Sequence, residues 1–131
     1  MTAAATTLEF VTAVPGFPEA RAWTLETWGD DANSPFKVLT ADDVADLAFV
    51  VVDPFGFFPD YEPTLDTATV DALGLGSADD ADVYVVLTVG ETLQDTTANL
   101  LGPVVVNRTN GRAVQAILHQ PGLSTRAPLA S

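Results

Sequence analysis

Three runs rich in β-branched residues, at 48–52, 83–89 and 104–107, do most to restrict what this chain can fold into. They read Ala48-Phe49-Val50-Val51-Val52, Val83-Tyr84-Val85-Val86-Leu87-Thr88-Val89 and Val104-Val105-Val106-Asn107. Branching at Cβ costs χ1 freedom in a helix and suits a pleated surface. Near-continuous apolar runs of this length describe strands buried on both faces, or a tightly curved sheet. Further strands are predicted over 23–28, where Trp and Thr favour one, over 36–39 and over 112–118. Asn110-Gly111 lies between the last of these and 104–107 and predicts a hairpin closed by a type I′ turn.

Helix is scarce. Residues 66–73 place Val70 and Leu73 at i, i+3, with Asp66 as N-cap and Gly74 where a C′ glycine belongs. A second short helix is predicted over 40–47, with Thr40 as cap and Asp43 completing a capping box. Nine prolines and nine glycines punctuate many short elements. The expectation is a mainly β (α+β) fold, a small antiparallel β-barrel-like domain with one or two short helices. The 131 residues suit one domain, 47% apolar residues suffice for its core, and 1–7 and 130–131 read as loose tails.

Charge narrows the partners. Residues 1–95 carry all 18 acids and only Arg21 and Lys37, a net of −16, whereas 96–131 carry three arginines and no acid. A chain of net charge −13 repels phosphate backbones, because nucleic-acid binding runs on cation contacts and counterion release. Direct nucleic-acid binding is therefore disfavoured and a basic protein partner favoured. Cysteine is absent, which removes disulfides, thiolate metal sites and cysteine nucleophiles together. The opening MTAAATTLEF lacks the regions of a signal peptide, and the longest apolar run falls far short of the roughly 20 residues that cross a bilayer. A cytoplasmic location without membrane contact is expected.

Reactive chemistry is hard to assemble. His119 is the sole histidine, and neither paired-His spacing nor H-E-x-x-H exists. The acids group at Asp30-Asp31, at Asp42, Asp43 and Asp46, and at Asp79, Asp80 and Asp82, none with the spacing of a calcium loop. Solvated faces and helix caps explain them, the second group lying in the first turn of the helix predicted over 40–47. No serine sits in G-x-S-x-G, and Gly74-Leu75-Gly76 is too short for a phosphate-binding loop. No catalytic residue, metal site or cofactor is predicted.

Two further stretches stand out instead. Asp53-Pro54-Phe55-Gly56-Phe57-Phe58-Pro59-Asp60-Tyr61-Glu62 puts four aromatics in ten residues between prolines, where the preceding strand must already have ended. Rings on a stiffened backbone give large contact area at low entropic cost. The same rings could instead fold back over an open barrel end. In the second stretch Asn99 and Asn107 bracket Leu100-Leu101-Gly102-Pro103-Val104-Val105-Val106, and each asparagine can bond its own backbone in a turn. Arg126 would contact a partner or, more simply, pair with one of the many acids. Phe57, Phe58, Tyr61, Asn99 and Asn107 are the predicted interaction residues.

These stretches carry a family likeness. The block Leu47-Ala48-Phe49-Val50-Val51-Val52-Asp53-Pro54-Phe55, running into Phe57-Phe58-Pro59-Asp60-Tyr61-Glu62, resembles the FliW signature. So do Thr97-Ala98-Asn99-Leu100-Leu101-Gly102-Pro103, Val14-Pro15-Gly16-Phe17-Pro18, Ser34-Pro35-Phe36 and Ser124-Thr125-Arg126-Ala127-Pro128-Leu129, in order across roughly 8–129. Departures are Gly102, where the family usually has alanine, Ala127, where it has histidine, and a poor match around 23–31. The resemblance implies a cytoplasmic flagellar assembly factor that binds flagellin and also CsrA, a small basic RNA-binding dimer that represses flagellin translation. Two other readings remain open on the residues alone. One is a small-ligand-binding β-barrel, although a barrel this small is usually filled by its own side chains. The other is a carboxylate hydrolase using acids between 42 and 60, which would need a perturbed acid pair in a cleft.

Overall fold

The computed structural model describes residues 5–11, 20–27, 36–59, 61, 63, 65, 67–76, 80–92, 94–118 and 122–129. Nine strands are assigned among them: β1 Ala5–Phe10, β2 Ala22–Thr27, β3 Phe36–Ala41, β4 Ala48–Val52, β5 Ala81–Thr88, β6 Thr97–Ala98, β7 Val104–Asn107, β8 Arg112–Gln115 and β9 Ala127–Pro128. One α-helix, α1 at Thr67–Leu73, and a 3-10 turn at Pro54–Gly56 accompany them.

Seven strands close a barrel in the order β1-β2-β3-β4-β5-β7-β8 and back to β1. Every pairing around it is antiparallel except the closing one, where Glu9 and Phe10 of β1 run parallel to Arg112 and Ala113 of β8. β5 changes partners along its length: Ala81 to Tyr84 pair with β7, Val85 and Val86 with β4, and Leu87 and Thr88 with β6. β6 then pairs with β9, so a small flap extends the sheet from one end of β5. The predicted small β-barrel architecture is what the chain adopts.

The pleat sorts side chains into two cores. Inside the barrel, Leu8 and Phe10 of β1 meet Trp23 and Leu25 of β2, Leu39 and Ala41 of β3, Val51 of β4, and Val104 and Val106 of β7. Trp23 is its centre, with ring centroids 5.7 Å from both Phe10 and Phe49 and its indole N–H donated to the Ala20 carbonyl at 3.1 Å. The outer core lies on the opposite face of β4, β5 and β7. There Val52, Val85, Leu87 and Val105 pack beneath α1, the aromatic turn, β6 and the chain's last described residues. β7 is buried on both faces, which is why its sequence shows no polar alternation.

Three local expectations are corrected. Residues 40–47 form no helix: Thr40 and Ala41 complete β3, and the Ala41 N–H donates to the Leu47 carbonyl at 2.9 Å across a β3–β4 loop. Asp46 there adopts φ 63°, which ends any helical run. Residues 5–7, read as part of a loose tail, belong to β1, because Leu8 and Phe10 are needed to fill the barrel. The β7–β8 hairpin closes through a wider loop than a two-residue type I′ turn, with the Gly111 N–H donating to the Asn107 carbonyl at 2.9 Å. Of Asn110 and Gly111 only the glycine has positive φ, at 74°.

α1 ends as its sequence predicts. Gly74 has φ 70°, the Leu75 N–H donates to the Val70 carbonyl, and the Gly74 N–H to the Asp71 carbonyl, each at 3.2 Å. That pair of bonds is a Schellman cap. Asp66, the predicted N-cap, and His119 lie outside the described residues, as do tail residues 1–4, 130 and 131.

Candidate protein-interaction site

The aromatic stretch winds into a tight turn because its first residues leave little choice. Asp53 is extended, and its carboxylate accepts the Phe55 N–H at 3.0 Å. Pro54 follows at the first position of the 3-10 turn, where a missing N–H costs nothing. The Pro54 carbonyl accepts from both Phe57 and Phe58, at 3.1 and 2.7 Å, and the Tyr61 N–H donates to the Phe58 carbonyl at 3.0 Å. Four rings are thereby aimed in different directions. Phe57 packs on Phe36 of β3 at 5.9 Å, Phe55 meets Tyr61 at 6.2 Å, and Phe58 is half-buried. The stretch is thus both a cover for the outer core and a source of surface apolar area.

Tyr61 anchors this turn to the second stretch. Its ring is buried, and its hydroxyl donates to the Leu100 carbonyl at 2.7 Å. Burial pushes the phenol pKa up to about 12. Asn99 makes the backbone turn expected of it, its side-chain oxygen accepting the N–H groups of Leu101 and Gly102 at 3.0 and 3.1 Å. The loop is held from outside as well. Leu100 donates to the Ser124 carbonyl, Leu118 to that of Leu101, and the Gln115 side-chain amide to that of Gly102. A Cβ on Gly102 would stand 2.9 Å from Gln115 Nε2 and 3.1 Å from Asn99 Nδ2. This close approach suits a glycine here.

Asn107 lies elsewhere, under α1. It is 2% exposed; its amide donates to the Leu73 carbonyl at 2.8 Å, and its oxygen accepts the Thr109 N–H at 2.9 Å. Asn110 donates to the same Leu73 carbonyl at 3.1 Å. Two asparagines of the hairpin thus cap the helix C-terminus, and this explains why the hairpin loop is wider than a type I′ turn.

The five predicted interaction residues therefore split. Phe57 and Phe58, with Pro59, Tyr61, Leu100 and Leu123, line a groove of about 340 Å³. Asn99 shapes the loop behind Leu100. Tyr61 and Asn107 spend their polar atoms inside the protein, and Asn107 does not reach this groove. Leu123 was not foreseen, since nothing local in the sequence marks it.

Among the described residues, two of the acids singled out in the sequence have structural partners. Asp43 accepts the N–H groups of Ala22 and Arg21 at 3.0 and 3.1 Å, and these bonds hold its carboxyl below the usual range. Asp42 accepts the Thr24 hydroxyl at 2.9 Å. They pin the β3–β4 loop to the start of β2, a structural duty unlike the helix-dipole role expected of them. Among the described residues no group of three or more His, Cys, Asp or Glu is placed to hold a metal ion. Arg126 forms no ion pair among the described residues, where the salt bridge present joins Arg108 to Asp82 at 3.1 Å. Within the described residues, no helix is long and apolar enough to cross a membrane.

The structure thus defines a class: a small closed β-barrel with an apolar groove beside its aromatic turn. The family model described as FliW protein matches residues 1–129. The flagellar assembly factor FliW of Bacillus subtilis (strain 168) is 38% identical over 120 residues, covering 92% of this chain and 82% of the relative. That of Bacillus licheniformis is 40% identical over 123 residues, covering 94% and 85%. A crystal structure of the flagellar assembly factor FliW matches with a TM-score of 0.85 at 34% identity, over 94% of this chain and 84% of that one. The chain belongs to the FliW family.

Proposed function

We propose that this chain is a cytoplasmic, non-catalytic flagellar assembly factor that binds flagellin and the translational repressor CsrA, antagonising the repressor while flagellin is being exported. The observation that carries the reading is an apolar groove built by Phe57 and Phe58 on a protein of net charge −13. Aromatic walls suit the apolar surface of an unassembled subunit. The charge favours encounter with a basic dimer and repels RNA from a complex that contains it. Phe57 and Phe58 act as contact residues. Tyr61 and Asn99 act from beneath by fixing the loop that carries Leu100, and Asn107 acts at longer range by fixing α1.

Calorimetric titration into CsrA of the same organism, at about 50 and then about 300 mM salt, tests it. Saturable binding that weakens with salt is expected, and Phe58→Ser should weaken flagellin binding while the fold persists. Absence of CsrA binding at both salts, from folded protein, would remove the antagonist role. The small-ligand reading would need space inside the barrel that Trp23, Phe10, Leu8 and Leu39 already fill.

A further inference from the structure

The aromatic turn separates two grooves of different electrical character. On its far side Phe55, Leu65, Val70, Leu75, Ala81 and Val83 enclose about 440 Å³ between the turn, α1 and the start of β5. Phe55 is 45% exposed there, a large ring with no core to explain its accessibility. Residues 53–83, which supply all six side chains, contain eight acids and no Lys, Arg or His. Asp71 follows Val70 on α1 and is exposed, while Asp53 caps the turn that carries Phe55. The Asp80 carboxylate lies against the groove wall, its Oδ2 3.3 Å from where a Cβ on Gly76 would stand. Asp82 is held by Arg108 at 3.1 Å, a partial offset to this charge. The Phe57/Phe58 groove is less one-sided: Phe57, Phe58, Pro59 and Tyr61 come from the same acidic span, but Leu100 and Leu123 come from residues 96–131, which hold no acid.

We propose that the acid-flanked groove is a docking site for a basic protein segment, an apolar anchor with lysine or arginine on either side, separate from the Phe57/Phe58 groove. It rests on the reading that the chain binds a basic protein, and adds where that protein sits. The anchor gains by leaving water among the aliphatic walls, and its flanking cations meet the carboxylates. A segment flanked by acids would gain the first and be repelled by the second, and RNA would be repelled outright. The two grooves share a wall, since Phe55 and Tyr61 meet at 6.2 Å, so occupancy of one bears on the other.

Binding of CsrA, as the basic protein, is measured by calorimetry and stopped flow for the wild type, Phe55→Ser, the pair Asp71→Asn with Asp80→Asn, and Phe58→Ser. Loss of the exposed ring should weaken binding about tenfold, the scale of a hot-spot residue. The charge pair should slow association about threefold or more at 50 mM salt and have little effect at 300 mM. Phe58→Ser, across the shared wall, should weaken CsrA binding less than Phe55→Ser does. If Phe55→Ser lowers the melting temperature, the charge pair, neither of whose residues is buried, decides. Wild-type binding that neither the ring nor the charges affect, or that Phe58→Ser weakens equally, would overturn the placement and leave the functional reading intact. A wild type that does not bind CsrA would overturn both.

Discussion

The barrel interior and the outer layer are held by different physics. Inside, the contacts are almost wholly apolar, and Trp23 spends its one polar atom on a nearby carbonyl. Outside, apolar packing is joined by buried hydrogen bonds from Tyr61 to Leu100 and from Asn107 to Leu73, and by a part-buried one from Thr96 to the Thr92 carbonyl. Among the described residues, the two buried polar side chains, Thr96 and Asn107, both belong to this outer region. Apolar packing is non-directional and fixes only which face points inward. A buried hydrogen bond also fixes direction, since a misplaced partner leaves a desolvated group unpaired. The interior therefore makes the barrel, and the outer layer sets where α1, the aromatic turn and the 99–102 loop stand around the two grooves.

Trp23→Ala tests the first half and should have the largest effect. Removing a ring this buried forfeits its transfer energy and leaves a cavity, at a cost of about 3–5 kcal/mol. A cooperative loss of stability in urea, with every strand affected together, is expected. Asn107→Ala tests the second half. It leaves the Leu73 carbonyl with Asn110 alone and frees the Thr109 N–H, at a cost of about 1–3 kcal/mol. Hydrogen exchange should accelerate first in α1 and the β7–β8 loop, while β2 and β3 keep their protection. Uniform acceleration in every strand would show that the two regions are one cooperative unit.

The same division decides what was legible in the sequence. Val104–Asn107 and Ala48–Val52 were bounded correctly, because strands covered on both faces leave unbroken apolar runs. β6 and β9 are two residues each, too short for any period, and exist because β5 offers them an edge. The parallel closure of β1 on β8 joins residues about a hundred positions apart and has no local signature. Residues 40–47 misled because Thr-x-x-Asp matches a capping pattern, yet the same carboxylate serves equally well holding the start of β2. At the candidate site, the Asn99 and Asn107 turns were legible, since Asx side chains bond locally. Whether each ring of the aromatic stretch points in or out was not, because that depends on Leu100 and Phe36 from distant parts of the chain. The groove beside α1 was missed for the same reason.

Gly102→Ala probes the join between the layers at lower cost. The new methyl would press on Gln115 Nε2 and Asn99 Nδ2, both at the ends of side chains that can turn aside. A loss of about 1 kcal/mol or less is expected, mostly the Gln115 bond to the Gly102 carbonyl. Adding Gln115→Ala should make the two changes less than additive by denaturant titration. Strict additivity would mean that the methyl is accommodated without moving Gln115.

The smallest effect compares the layers through their tyrosines, of which the chain has two. Tyr84 packs against the interior core and Tyr61 within the outer one. Both phenols are pushed up to about 12, Tyr61 by burial, Tyr84 by burial first and then by the Asp82 and Asp53 carboxylates. A raised folded pKa means that the folded protein holds its protons where the unfolded chain, near 10, releases them. Stability from both groups is thus complete below pH 10 and falls as pH rises from about 10 to 12. Tyrosinate absorbance near 295 nm should stay absent at pH 10.5 in folded protein and appear in urea. Tyr61→Phe leaves Tyr84 alone to titrate, so any folded-state absorbance at that pH in the variant reports loosening of the barrel interior. If the variant stays silent while the wild type does not, the outer layer is the first to open.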